Sequence, residues 1–361
     1  MIDSPLSLGL FTVGWAIGWL LLWRPRHVPS ASGIQTSPTD QRAPVAVVIP
    51  ARDEAHALAA LVEPLVAQQR PGDRIVVVDD HSSDGTAAVA EQCGAEVTVP
   101  PTPPAGWLGK PNACWHGASI TSESTLIFLD ADVRPGATLL DDLAAEVRRD
   151  PNRLVSVQPW HEMPGAGEQA STLCNVAALM GCGAFTAAGR RFGATVAFGP
   201  VLAVDRDAYL DAGGHADPVV RSMHTEDIGL ARAVGASSLF VGRRDGTRFR
   251  MYPGGLRELT RGWTRSLATG ARCTPWWLAV LVAAWIASLA GGWIAEPVVY
   301  PLSAVQVWFL GRRAGSLHPV AAVLYPALVV VFVVVFIRSA VAVIFRRDVT
   351  WKGRRVEARP D

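Results

Sequence analysis

The sequence predicts an α/β protein in which a mostly parallel sheet, covered by helices on both faces, is joined to a membrane by N- and C-terminal apolar helices. Three observations carry this. Short β-branched runs alternate with helical stretches between residues 44 and 273, the runs end in acidic or turn residues, and uncharged stretches of spanning length flank the region on both sides. Of 361 residues, 50% are hydrophobic and 18% charged, against about 25% charged in a soluble globular protein. The balance of 33 Lys+Arg against 32 Asp+Glu points to no nucleic acid and no acidic partner. Disorder and fibrous repeats are excluded by the apolar content and by Gly and Pro that follow no period. Cys93, Cys114, Cys174, Cys182 and Cys273 are odd in number and form no CxxC pair. They read as buried thiols in a reducing compartment, not as a disulfide framework or a zinc site.

Taken in order, residues 6–23 form an uncharged run long enough to cross about 30 Å of hydrocarbon. Asp3 precedes it, while Arg24, Arg26 and His27 follow, so the run reads as a retained helix with the bulk of the protein on the cytoplasmic side. The organisation expected is a transmembrane segment at 1–27, a Ser, Thr and Pro rich linker at 28–44, and an α/β domain at 45–273. A membrane region at 274–345 and a basic cytoplasmic tail at 346–361 complete it. In the membrane region 276–295 and 319–345 are long enough to span, whereas 297–310 is a short helix, a re-entrant segment or half a hairpin; two full crossings are favoured. Within the α/β domain, strands are expected at 45–49, 74–80 and 125–132, with helices at 54–69 and 85–93. The 168–189 stretch, rich in Ala, Gly, Leu and Met, fits a helix on the membrane surface and a packed core helix equally well.

Acidic residues collect where such sheets bind ligands, at the carboxyl ends of strands. In DDHSSDGT, Asp84 suits a helix cap, but Asp79 and Asp80 are two adjacent carboxylates at the end of a buried strand, suited to a ribose or a base. A DxDGT phosphatase signature fails because Ser82 stands at the nucleophile's place. Asp130 and Asp132, two residues apart at another strand tip, point the same way and can share one hard divalent cation with phosphate oxygens. Glu226 and Asp227 open a helical run, where they serve as dipole partners, as proton acceptors for an attacking hydroxyl, or both. Lys110, in a Gly and Pro rich segment read as a loop, suits a phosphate. Arg261, Trp263 and Arg265, just before the membrane region, suit a membrane-surface anchor or a cationic lid over a diphosphate.

VVIPARDEA, IVVVDDHSSDGT, GWLGKPNAC, LIFLDADV, AFGPVLAVDRDAYLDAGGH, HTEDIGLA, RMYPGGLRELTRGWTRSLATGA and TWKGRR follow one another along the chain. Together they resemble membrane-bound glycosyltransferases of family 2, which have the GT-A fold, over nearly the whole length. GWLGK, RMYPGG and WKGR are most similar to bacterial enzymes that glycosylate carotenoid acids (diaponeurosporenoate) and to hopanoid-associated glycosyltransferases. The resemblance implies nucleoside contacts from Pro50, Ala51, Arg52 and Glu54 with Asp79 and Asp80, and Mg2+ or Mn2+ held on the diphosphate by Asp130 and Asp132. It implies Asp227 as base, with Glu226 its nearest rival; in the expected mechanism Lys110 and Arg265 help to hold the diphosphate. Where polymerising members carry QxxRW this chain has RGWTR, which favours a single sugar transfer.

The expected reaction is an inverting, metal-dependent transfer from a nucleotide sugar, UDP-hexose being the family's commonest donor, to a lipid acceptor in the bilayer. The rival from another class is a non-catalytic, membrane-anchored nucleotide-sugar-binding or scaffold protein; three intact acidic clusters speak against it. A dinucleotide-dependent oxidoreductase fails for want of GxGxxG after the first strand. A transporter is disfavoured because Arg338 is the only charge well inside a candidate span.

Overall fold

The computed structural model describes residues 4–31, 42–189, 195–344, 349–351 and 354–356, so most of the expected linker and basic tail lie outside the described residues. Along the chain the elements are α1 (Ser4–Leu21), β1 (Val45–Ala51), α2 (Ala55–Val66), β2 (Arg74–Asp79), α3 (Thr86–Gln92), β3 (Glu96–Thr98), α4 (Gly109–Ser119) and β4 (Thr125–Leu129). They continue with β5 (Val133–Arg134), α5 (Leu139–Arg149), β6 (Leu154–Gln158), β7 (Trp160–His161), α6 (Thr172–Gly181), β8 (Val201–Asp205), α7 (Arg206–Asp211), α8 (Glu226–Val234), β9 (Ser237–Val241) and β10 (Arg248–Phe249). The remainder is α9 (Leu256–Cys273), α10 (Trp276–Ala295), α11 (Tyr300–Ala314), α12 (Pro319–Val323), α13 (Tyr325–Ile344), β11 (Val349–Trp351) and β12 (Arg354–Val356). These fall into two compact units, one of residues 26–160 and 195–249 and one of 1–25, 161–194 and 250–361. Residues 161–194 and 250–273, within the expected 45–273 domain, group with the apolar helices.

In the first unit a seven-stranded sheet has the order β3-β2-β1-β4-β8-β6-β9. The pairs β2–β3, β1–β2, β1–β4 and β6–β9 are parallel, while β8 runs antiparallel to both β4 and β6, so the sheet is mostly parallel. Alternation of side chains along a strand splits β1 between two cores. Val45, Val47 and Ile49 pack with Leu58, Leu61, Leu65, Leu140 and Leu143 from α2 and α5. Ala46 and Val48 pack with Cys114, Tyr209 and Leu230 from α4, α7 and α8. Burial on both faces explains why the strands read as unbroken apolar runs. Pro50 is tolerated near the end of a central strand because pairing with β4 stops at Val48, so no neighbour needs its missing N–H on that side. Beneath the opposite end of β1, buried Asp73 accepts from the Arg42 guanidinium at 2.6 Å and from the backbone N–H groups of Val45 at 3.0 Å and Arg70 at 2.7 Å. Burial alone would raise its pKa, but these donors outweigh it and hold the carboxyl below the usual range.

In the second unit α10 and α13 are each long and apolar enough to cross a membrane. α1 lies against α10 through Gly14 and Gly18: a Cβ on Gly14 would stand 2.5 Å from that of Ser288, so the spacing of small residues sets how closely the helices approach. Fully buried Gln306 of α11 completes the contact, donating to the Trp15 carbonyl at 2.6 Å and accepting from the Trp285 indole at 3.0 Å. At 15 residues α11 is about 22 Å long, short of a full crossing. The expected helix over 319–345 is broken into α12 and α13 at Leu324, because Pro326 sits at the second position of α13 and has no N–H to continue the first helix. Between the two readings of 168–189 the structure selects the core helix: nine of ten α6 residues are buried, against α9, α10, α11 and α13.

Candidate active site

Consecutive strands in the sheet order place three loops side by side at one edge: residues 80–86 after β2, 51–55 after β1 and 130–132 after β4. Neighbouring strands are about 4.8 Å apart, so the tips of β2 and β4 stand roughly 10 Å from each other. The first two loops are laced together. Asp53 N–H donates to Ser82 Oγ at 3.0 Å, Ser83 N–H to Asp53 Oδ1 at 2.8 Å, Glu54 N–H to Thr86 Oγ1 at 2.9 Å and Ala55 N–H to Asp84 Oδ2 at 3.0 Å. The last two bonds satisfy N–H groups at the start of α2, so Asp84 serves the helix of the neighbouring loop as well as its own. The Ser83 amide holds the exposed Asp53 carboxyl below its usual range. Each loop carries a non-glycine residue in the left-handed region, Asp53 at φ 53° and His81 at φ 57°. Such backbone persists where surrounding bonds over-determine it, and it gathers at ligand sites.

The expected nucleoside residues divide between scaffold and edge. Pro50 and Ala51 are the last residues of β1, and the Ala51 carbonyl accepts from Asp80 N–H at 2.8 Å, carrying the ladder one residue past β2. Arg52 donates to the Asp80 carbonyl at 3.0 Å and pairs with its carboxylate at 3.5 Å. The Asp79 carboxylate turns back to accept from Ser82 N–H at 3.0 Å, closing the turn that leads toward α3.

At the β4 tip, Lys110 corrects one expectation. It sits in the first turn of α4 and not in a loop, and its Nζ lies 2.7 Å from Asp130 Oδ1 and 2.6 Å from Glu226 Oε1. One ammonium thus bridges the first carboxylate of the DxD segment to the first of the ED segment. Burial pulls its pKa down, but Asp130 and Glu226 outweigh this and hold it well above its usual range. Among the described residues the second carboxylate of each segment has no ion pair of this kind, although the Lys110 charge reaches both. Burial, reinforced by Asp130 and Glu54, pushes Asp132 up to about 7. Burial, reinforced by Glu226, likewise pushes Asp227 up to about 7.

The segment AFGP was part of the resemblance but received no role, and it is what separates the two clusters. Pro200 O accepts from Asp130 N–H at 3.0 Å, Phe198 N–H donates to Ser156 Oγ at 2.7 Å, and a Cβ on Gly199 would meet Asp227 Oδ2 at 3.2 Å. A side chain at 199 would crowd the Asp227 carboxylate out of its place by a few tenths of an ångström, a constraint visible in sequence as a Gly-Pro pair but assignable to Asp227 only from coordinates. Behind the cluster, Tyr209 Oη accepts from His215 N–H at 3.1 Å and bonds His215 Nδ1 at 3.0 Å, beside Phe128. Burial, then the Lys110 charge, pushes His215 down to about 3, so it is neutral.

Among the described residues no three His, Cys, Asp or Glu side chains form a closed metal cage. The donor set still suits a hard divalent cation: Asp132 feels the charges of Asp130 and Glu54, Asp227 those of Glu226 and Asp130, and both feel Lys110. Asp130 and Asp132 would supply carboxylate oxygens, and open coordination would fall to phosphate and water.

The Arg261, Trp263 and Arg265 segment belongs to α9 in the other unit. Trp263 departs from its expected substrate contact: it is buried and its indole donates to Ser171 Oγ at 2.7 Å, because apolar residues at 259, 263 and 267 form the packed face of α9. Arg261 is exposed, and the Arg265 side chain lies outside what the structure describes.

A model of glycosyl transferase family 2 matches residues 46–211. The 4,4'-diaponeurosporenoate glycosyltransferase of Staphylococcus haemolyticus (strain JCSC1435) is 31% identical over 360 residues, covering 94% of this chain and 95% of that protein. The enzyme of the same name from Staphylococcus aureus (strain USA300) is 30% identical over 333 residues, covering 86% of this chain and 87% of its own. Among solved structures, the mannosyltransferase PcManGT from Pyrobaculum calidifontis, in complex with GDP-Man and Mn2+, superposes with a TM-score of 0.54 at 15% identity, over 96% of this chain and 99% of that one. At that identity the likeness is one of fold.

Proposed function

Because the chain belongs to glycosyltransferase family 2 and has its GT-A α/β fold, we propose that it transfers one sugar from a nucleotide sugar to a carotenoid acid or a related isoprenoid lipid in the cell membrane. The observation that carries this reading is the split of the two acidic pairs: Lys110 bridges Asp130 and Glu226, while burial and the neighbouring carboxylates push Asp132 and Asp227 up to about 7. The names of the relatives support the acceptor class, and the apolar α10 and α13 support its arrival from lipid. Arg24 and Arg26 after α1 favour the cytoplasmic side for the α/β unit.

In this reading Asp80, Arg52 and the laced loops hold the nucleoside, and Lys110 turns from its carboxylates toward the diphosphate. A divalent cation on Asp130 and Asp132, when bound, stabilises the charge on the departing diphosphate. An acceptor oxygen attacks the anomeric carbon from the face opposite the leaving group; a new C–O bond forms as the sugar–phosphate bond breaks, which inverts the centre. Asp227, with its pKa near neutral, takes the proton of a hydroxyl acceptor. A carboxylic acid acceptor arrives ionised and brings no proton to remove.

The test is nucleoside diphosphate release from UDP- and GDP-sugars, UDP-hexoses first, by detergent-purified protein with and without EDTA and with a carotenoid acid as acceptor. Release that needs both acceptor and divalent cation is expected, and calorimetry showing no donor bound in the presence of Mn2+ would sink the proposal. Asp227→Asn then reports the acceptor. A carboxylate acceptor spares much of the turnover, whereas a hydroxyl acceptor predicts near-complete loss.

A further inference from the structure

The Arg side chains of α9 do not follow its packed face. At about 100° per residue, Arg257, Arg261, Arg265 and Arg272 fall within an arc of about 80°, while Leu259, Trp263 and Leu267 occupy the opposite side. The apolar side is in place: these three are 0%, 6% and 8% exposed, and α9 packs along α13 and α6. Arg257, Arg261 and Arg272 are exposed. From Arg257 to Arg272 the stripe runs about 22 Å. Glu258 lies at its border, with its carboxylate accepting from Gly254 N–H at 2.7 Å.

We propose that this stripe binds the head groups of anionic phospholipids. Two neighbouring features fix the depth. α9 passes into α10 through Thr274 and Pro275 alone, and α10 opens with Trp276, 78% exposed, followed by Trp277. Tryptophan at the start of a spanning helix marks the level of the head groups. A helix that packs along apolar α13 cannot carry the exposed guanidinium groups of Arg257, Arg261 and Arg272 into hydrocarbon, so its polar side lies where phosphates do. Arginine matches phosphate in two-point geometry, and charge complementarity selects anionic over zwitterionic lipid. The inference stands independently of the donor and acceptor proposed above.

The experiment uses the full chain in detergent micelles, following the thermal midpoint during titration with phosphatidylglycerol, phosphatidylcholine, inorganic phosphate or UDP with Mn2+. Phosphatidylglycerol is expected to stabilise the protein in a saturable way, with apparent affinity weakened roughly 30-fold in Arg257→Gln/Arg272→Gln. Arg257→Lys/Arg272→Lys should keep most of the effect. About 0.5 M NaCl should erode it strongly. Phosphatidylcholine and inorganic phosphate should leave the midpoint unmoved, and the UDP response should be the same in the Gln variant as in the parent. Equal phosphatidylglycerol affinity in parent and Gln variant overturns the proposal, as does a Gln variant that loses its UDP response while keeping its lipid response.

Discussion

The buried ion pair of the helical unit and the acidic cluster at the sheet edge treat buried charge in opposite ways. In the helical unit Glu168 is matched by Arg250 at 2.8 and 3.0 Å, and Gln306 with Trp15 and Trp285, and Trp263 with Ser171, make neutral pairs. At the sheet edge burial, reinforced by neighbouring carboxylates, moves Asp132 and Asp227 up to about 7. Compensated polarity holds helices in register; uncompensated charge costs folding energy and persists where a ligand supplies the missing counter-charge.

The comparison is broken most severely at Lys110. Lys110→Met leaves Asp130 and Glu226 facing each other and should cost about 3 kcal/mol, with turnover falling on the order of 1,000-fold. Since Mn2+ can replace the lost charge, the variant should gain more in thermal midpoint from added Mn2+ than the parent does. An equal gain in both would show that the carboxylates were not competing for one cation. In the helical unit Glu168→Gln removes a charge that is already matched. It should lower stability by about 2 kcal/mol, read as a lowered midpoint, while Mn2+ stabilises the variant as much as the parent.

Gly199→Ala sharpens the contrast within the edge itself. Its Cβ would press on Asp227 Oδ2, so a hydroxyl acceptor should be turned over about 10-fold more slowly with the donor KM unchanged. A raised donor KM at full turnover would instead place Gly199 beside the nucleotide.

The smallest effect expected is one of pH. His215 is pushed from 6.5 to about 3 on folding, so between those values the unfolded chain binds a proton that the folded chain does not. Its contribution is full above 6.5 and drains as pH falls toward 3, where lowered Asp73 adds a second loss. Asp132 and Asp227, raised to about 7 on folding, take up protons over much of the same window and slope the parent the other way, so the His215 part is read by difference: His215→Gln should gain stability relative to the parent as pH falls from 6.5 toward 3.

The strand tips were legible because β-branched runs announce themselves and acidic residues at their ends have few structural uses. Strands expected at 45–49 and 74–80 form at Val45–Ala51 and Arg74–Asp79. What escaped was pairing across sequence distance. Nothing local ties Lys110 to Glu226, and GWLGKP reads as a loop because Gly and Pro also open helices, as they do in α4. Burial of α6 was undecidable because small apolar residues suit a membrane surface and a helix core alike. Trp263 looked interfacial by composition, and only its spacing with Leu259 and Leu267 marks it as packed.

The clasp of α1 on α10 and α11 orders events during synthesis. Trp15 and Gln306 are 291 positions apart, so at ribosomal speeds the first helix waits roughly 15 to 60 s before its partners exist. Through that interval Gly14 and Gly18 present a notch with nothing in it. The nascent α/β unit can close its sheet first, so the helical unit is completed last, when Trp285 and Gln306 return to α1.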